Sequence, residues 1–285
     1  MSTLPLSSNI VMNSNASWCA SLQLQFSLKN NKSFPSFVKH FGPLRVQRAF
    51  YPESSNICHS YILHPPGGIV GGDTLDISIE LQKYSHAFVT TPGATKVYRS
   101  KKYSEINNTL NLEQEATLEW MPQETLLFSD SWCKQKTTIN MHKSSNLCFW
   151  DIVCFGMPAI NKKFTEGDFR QSLQINIDGK PILIEKNNIT GSSDILSKKW
   201  GFQDYYIAGI LVLYVTEKID VEVYRVVASD YSSSIVGITQ KGPFIICRAL
   251  SDDAESMRKC FSAMWRVWRE SVLGISAIKP RIWDT

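Results

Sequence analysis

The sequence predicts an all-β protein that closes on one amphipathic helix. Two observations carry this. Apolar residues alternate with polar ones in segment after segment from Trp18 onward, as strands with one buried face require. A sustained helical spacing is confined to residues 252–273.

Residues 1–16 are rich in Ser and Asn and read as a disordered extension ahead of a single β domain spanning 17–285. Residues 21–28 alternate strictly, which puts Leu22, Leu24, Phe26 and Leu28 on one strand face. The stretch 30–39 is polar. Residues 74–81, 109–112, 116–120 and 169–177 repeat the alternation. Asp178-Gly179 then tolerates positive φ and predicts a hairpin into 182–185. The polar, turn-rich interval 187–203 reads as a long loop. Residues 205–215 lack a polar partner at every second place and read as a strand buried on both faces. That run is too short for the roughly 20 residues of a spanning helix. Residues 221–226 alternate again and are expected as a strand.

The helix carries Met257, Phe261, Met264, Trp268 and Val272 along one face. Asp252 and Glu255 have the spacing of a capping box, and Arg266 and Arg269 suit the negative end of the dipole. Gly274 and Pro280 end it. No repeat recurs at a fixed period, so sequence offers no argument for a strict solenoid.

The 30 basic and 26 acidic residues give a net charge of +4, and they are scattered. Lys101-Lys102 and Lys162-Lys163 are too short to make a nucleic-acid stripe, so no nucleic-acid partner is expected. No basic leader precedes an apolar run, and neither secretion nor a membrane partner is expected. Seven cysteines without a Cys-x-x-Cys pair point to reduced thiols and a cytoplasmic protein.

Motifs with known chemistry are few. Pro65, Pro66, Gly67, Gly68, Gly71 and Gly72 crowd one segment and predict a sharp backbone path open to close approach. No Lys-Ser or Lys-Thr follows them, so this is no phosphate cradle. Nor is Gly-Ala-Thr-Lys at 93–96, where the order is wrong. There, Lys96, Arg99 and Lys101 make a basic spot suited to an acidic partner surface. Neither Gly-x-Ser-x-Gly nor His-Glu-x-x-His occurs. Cys58-His59 is expected to point its side chains to opposite faces of a strand. Cys58, His59 and His64 lie close in sequence without the spacing of a tetrahedral site. Glu119 and Glu124 flank a bend at Pro122. They read either as an acid/base or cation-holding pair or as solvated surface carboxylates.

Several blocks nonetheless resemble one family in the same order along most of the chain. They are Gly42-Pro43-Leu44-Arg45-Val46-Gln47-Arg48, residues 64–73, residues 90–100, Leu118-Glu119-Trp120-Met121-Pro122-Gln123-Glu124, Phe169-Arg170-Gln171 after Glu166-Gly167, and Pro280-Arg281-Ile282-Trp283. Together they resemble the urease accessory protein UreD family, also called UreH; Ala49 departs from it where a proline is expected. The resemblance implies irregular, β-helix-like stacked sheets with few helices. It also implies a scaffold or chaperone without turnover, required for nickel insertion into apo-urease. Such a protein would bridge an adaptor, UreF, and a nickel-carrying GTPase, UreG, to the urease subunits. No tightly bound cofactor is implied, only transient nickel. A weak nickel route wants oxygen and imidazole donors, for which His64, Asp73, Glu119, Glu124, Asp151 and Glu166 are the candidates, with the loop 65–72 shaping its mouth. Lys96 and Arg99 are the partner-facing candidates. Two rivals stand beside this reading: a β-sheet hydrolase using Glu119 and Glu124, and an interaction module without metal.

Overall fold

In a computed structural model, which describes residues 17–53, 56–216, 219–231 and 234–284, the chain winds back and forth between two facing β-sheets. The expected extension 1–16 lies outside the described residues. The first sheet has seven strands. Its centre runs parallel through Cys19–Lys29, Thr74–Leu81, Ser100–Leu112, Ser131–Met141 and Gly167–Ile177, with antiparallel edges Lys32–Phe41 and Lys180–Thr190. In the second sheet Cys58–Leu63, His86–Thr90, Thr117–Trp120 and Asn146–Met157 are parallel. Antiparallel strands Ile207–Tyr214, Phe244–Ser251 and Ser234–Lys241 extend it.

Alternation between the sheets makes a β-helical stack. Cys58, Ala87, Leu118 and Leu147 stand side by side although they are 29, 31 and 29 residues apart. The all-β expectation therefore holds, in the stacked form that the resemblance implies. Sequence repeats are not needed, because successive rungs preserve only length and strand parity.

Leu22, Leu24, Phe26, Ile79, Leu110 and Ile139 of the first sheet meet Leu118, Leu147 and Phe149 of the second in the central core. The opposite face of the second sheet carries Phe88, Trp150 and Leu213 and is covered by two helices, α1 (Val221–Ser229) and α2 (Ala254–Trp268). From α2, Met257, Phe261, Met264, Trp265 and Trp268 are fully buried there, each worth roughly 1.5–3 kcal/mol. The outer face of the first sheet is polar. Asn140 donates to Asn111 (2.9 Å) and Asn176 donates to Asn140 (2.7 Å), so this parallel sheet can face water with its side chains satisfied.

Three expectations need correction. Residues 221–226 are helical: the Asp220 carboxylate accepts the Glu222 N–H, and Tyr224 and Ala228, four apart, bury against the sheet. Six alternating residues did not separate a strand from a short amphipathic helix. The interval 187–203 begins as strand, within Lys180–Thr190, and includes a short turn of 3₁₀ helix at Asp194–Leu196. The main helix is capped by Asp253, not Asp252, with its carboxylate accepting from Glu255 and Ser256. After Trp268 it loosens into a π-helical turn, Arg269–Leu273, closed by Gly274 at φ 65°. The strand at 205–215 is confirmed as Ile207–Tyr214, paired on both sides with Leu211, Val212 and Leu213 all buried.

The Pro/Gly segment is stitched to its neighbours. Ile69 N–H donates to Lys96 O and Tyr98 N–H to Ile69 O, both at 2.8 Å. A methyl group at Gly71 would sit 2.1 Å from Ser100 Oγ and 2.2 Å from Lys102 O. Gly71→Ala is therefore expected to lower stability by at least about 1–3 kcal/mol through overpacking. Urea denaturation of the two proteins measures it.

Candidate functional site

Polar residues interrupt the central core at positions where alternation calls for apolar ones. On strand Ser131–Met141, Gln135 and Thr137 share the inward face with Cys133 and Ile139. On Asn146–Met157, Asp151 occupies a core position between Phe149 and Val153. Gln135 Nε2 and Gln171 Nε2 donate to the same Asp151 oxygen, at 2.6 and 3.0 Å. Asn108 Nδ2 donates to Thr137 Oγ1. Two amide oxygens, Asn108 Oδ1 and Gln135 Oε1, are buried with no partner.

Two cavities flank this group. One, of about 330 Å³, is lined by His64, Thr91, Thr95, Asn108, Gln135 and Asp151 among others. The second, of about 350 Å³, is lined by Asp151, Phe155, Phe169, Gln171, Ile189 and Trp200 among others. Asp151 is a wall of both. Burial pushes its carboxyl up to about 6, with the two glutamine amides opposing in part. Burial also lowers the His64 imidazole, against a smaller opposing pull from Asp73, so the ring is neutral near pH 7 and has a lone pair to offer. Oxygen donors that lack partners, one carboxylate and a neutral imidazole can hold a hydrated divalent ion weakly.

Of the six metal candidates, His64 and Asp151 line one cavity and the other four lie elsewhere. Asp73 is buried and accepts from Trp18 N–H (2.8 Å) and Val70 N–H (2.9 Å), clasping the glycine loop. Glu166 is exposed. Glu124 is held by Arg258 of α2. Glu119 faces the helices and is fully buried. It accepts from His86 Nε2 (2.6 Å), from Arg269 Nε and Nη2 (2.8 and 2.7 Å) and from Trp265 Nε1. Burial alone would raise its carboxyl; the His86 hydrogen bond and the Arg269 charge outweigh that and bring it down to about 2. Arg269 also binds Glu53 (2.7 and 3.0 Å), to which His59 is hydrogen-bonded at 2.6 Å. As expected, Cys58 and His59 diverge: Cys58 joins the central core and His59 stacks on Phe88, on the helix side. Neither glutamate of the hydrolase reading is free in this structure. Among the described residues, no three His, Cys, Asp or Glu side chains form a group that could hold a metal ion.

A family model described as UreD urease accessory protein matches residues 19–284. The chain is 36% identical to a urease accessory protein UreD of Escherichia coli over 278 residues, covering 95% of this chain and 99% of that one. It is equally similar, at 36%, to a urease accessory protein UreD 2 of Pseudomonas syringae pv. tomato, with 94% and 96% covered. A urease accessory protein UreD of Aliivibrio fischeri is 35% identical, with 95% and 98% covered.

The chain belongs to the UreD urease accessory protein family. In this UreD-family chain the blocks that carried the resemblance build architecture around the cavities. The loop 64–73 bridges through Ile69 to the short strand Thr95–Val97, and Trp283 donates to Thr90 Oγ1 (3.0 Å) from the far end of the chain. Asn108, Gln135, Gln171, His86 and Arg269 were not singled out as site residues in the sequence. For the first two a signal existed: polar side chains at the buried parity of otherwise alternating strands. No helix among the described residues is long and apolar enough to cross a membrane.

Proposed function

We propose that this UreD-family chain is a cytoplasmic scaffold without turnover that assists nickel insertion into apo-urease. It bridges the adaptor UreF and the GTPase UreG to urease, and nickel passes through the space between its sheets. The metal is cargo here. The reading is supported above all by Asp151, a buried carboxylate shared by two cavities and surrounded by amide oxygens with no partner of their own. A passage needs donors that replace part of an ion's hydration and then let go. One carboxylate with neutral amide oxygens meets that requirement better than a closed cluster of thiolates or imidazoles. His64 at the rim of the first cavity adds a neutral ligand. Of the other candidate carboxylates, Asp73 holds the glycine loop, Glu119 and Glu124 tie α2 and the turn after it to the second sheet, and Glu166 is exposed.

Cells lacking this chain are expected to make urease subunits in normal amounts with little bound nickel. Metal analysis of the purified urease, beside a complemented strain, measures this. Fully loaded urease in the deletion strain overturns the proposal.

A further inference from the structure

The two cavities are joined through side chains that differ in how firmly they are held. Gln135 and Gln171 are register partners on neighbouring parallel strands, Ser131–Met141 and Gly167–Ile177. Both amides reach across to the second sheet and donate to the same Asp151 oxygen. Gln135 lines the first cavity, Gln171 the second, and Asp151 both. Three linked side chains thus stand between the two spaces.

The glutamines are not equivalent. Gln171 is held at both ends of its amide. Its Nε2 donates to Asp151, and its Oε1 accepts from Asn187 Nδ2 at 2.9 Å, its register partner on the edge strand Lys180–Thr190. Gln135 is held at one end only. Its Nε2 donates to Asp151, while its Oε1 is buried with no hydrogen-bond partner among the described residues. The whole residue is only 6% exposed. A buried acceptor left unpaired is a cost to the fold, and a cation can relieve it.

The last torsion of a glutamine is broad and roughly two-fold, and the N and O ends of its amide are nearly the same size. A half-turn of Gln135 therefore needs little extra room. Turned, it presents Oε1 to Asp151. Against a bare carboxylate this sets oxygen on oxygen and is repulsive; with a divalent cation between them the two become ligands. Gln171 lacks that freedom, because a half-turn would break both of its bonds and set its N–H₂ against that of Asn187.

We propose that Gln135 is the gate of the passage. At rest its N–H₂ closes on Asp151. An arriving divalent cation turns the amide, so that Gln135 Oε1 and the Asp151 carboxylate hold the ion together while Gln171 and Asn187 keep Asp151 in place. The gate faces the first cavity, where Asn108 Oδ1 is likewise buried without a partner among the described residues. The proposal rests on the passage reading given above.

The test titrates Ni²⁺ itself into the purified full-length chain by calorimetry and follows the part of the binding that Asp151→Asn abolishes. Gln135→Met is expected to weaken that part about ten-fold or more. Gln135→Glu, whose carboxylate can only accept, should restore it at least to the wild-type level. Gln171→Met should lower the urea midpoint, since Asn187 loses its acceptor, and should change nickel affinity far less than Gln135→Met does. Gln135→Ala, read the same way, replaces the methionine variant if that chain does not fold. Wild-type affinity in Gln135→Met, no recovery in Gln135→Glu, or an equal loss in Gln171→Met overturns the gate and leaves the passage standing. A wild-type chain without Asp151-dependent nickel binding overturns the passage and the gate with it.

Discussion

Asp151→Asn is expected to produce a chain that is more stable at neutral pH and poor at loading urease with nickel. The fold raises this carboxyl from its ordinary 3.8 to about 6, chiefly by burial. The folded state therefore holds the proton more tightly than the unfolded one. Stability from the neutral form is fully present below about pH 4 and is lost as pH rises through 6. At pH 7 the ionised group costs the fold up to about 3 kcal/mol. Asparagine cannot ionise, still offers an oxygen to the two glutamine amides, and brings an N–H₂ group to a site with an unpartnered Gln135 Oε1. The gain should appear in denaturant melts at pH 7.5 and shrink towards pH 4. If Asp151 is a waypoint for the metal, urease co-produced with the variant should be nickel-poor while the accessory complex still assembles. A gain over the wild type that is the same at both pH values would remove the electrostatic argument. Full nickel loading would remove the passage.

Arg269→Met is expected to be severely destabilising, by roughly 3–5 kcal/mol, since it strands two buried carboxylates. Arg269 is fully buried and binds Glu119, Glu53 and the Ser276 carbonyl, so one side chain fastens the end of α2 to the second sheet and to the segment before Cys58. Glu119 gives the loss a pH signature. Its carboxyl stands at about 2 instead of the ordinary 4.5, so its contribution is present above about pH 4.5 and is lost as pH falls towards 2. The wild type should weaken across that window. In the variant the trend should flatten or reverse, because protonation relieves the stranded charges. Glu53→Gln and Glu119→Gln added to Arg269→Met should recover much of the loss, as replacing a whole buried ion pair often does. Urea melts across pH check all three. A single variant that unfolds with wild-type midpoint and pH profile contradicts the network's role.

Much of the frame was readable from residues alone. Strands at 21–28, 74–81 and 169–177 announced themselves because half-buried strands must alternate, and α2 because a helix must put its apolar side chains on one face. The short helix at Val221–Ser229 was misread because its tertiary contacts, through Tyr224 and Ala228, decide it. Among the candidate residues, Asp73, Glu119, Glu124 and Asp151 are equally plausible donors on paper. Burial separates them: Asp73 is held by backbone N–H groups, Glu119 and Glu124 by arginines, and Asp151 by glutamine amides with cavity on either side.

The amino-acid order by itself determined the β class, the C-terminal helix and membership of the UreD family, since strand parity, helical spacing and ordered motifs are local properties. Only the tertiary structure decided which carboxylate faces a cavity and which is sealed under a helix. Parity says which side chains share a face but not what that face meets, and the deciding partners are distant: Arg269 reaches Glu119 across 150 positions and Glu53 across 216.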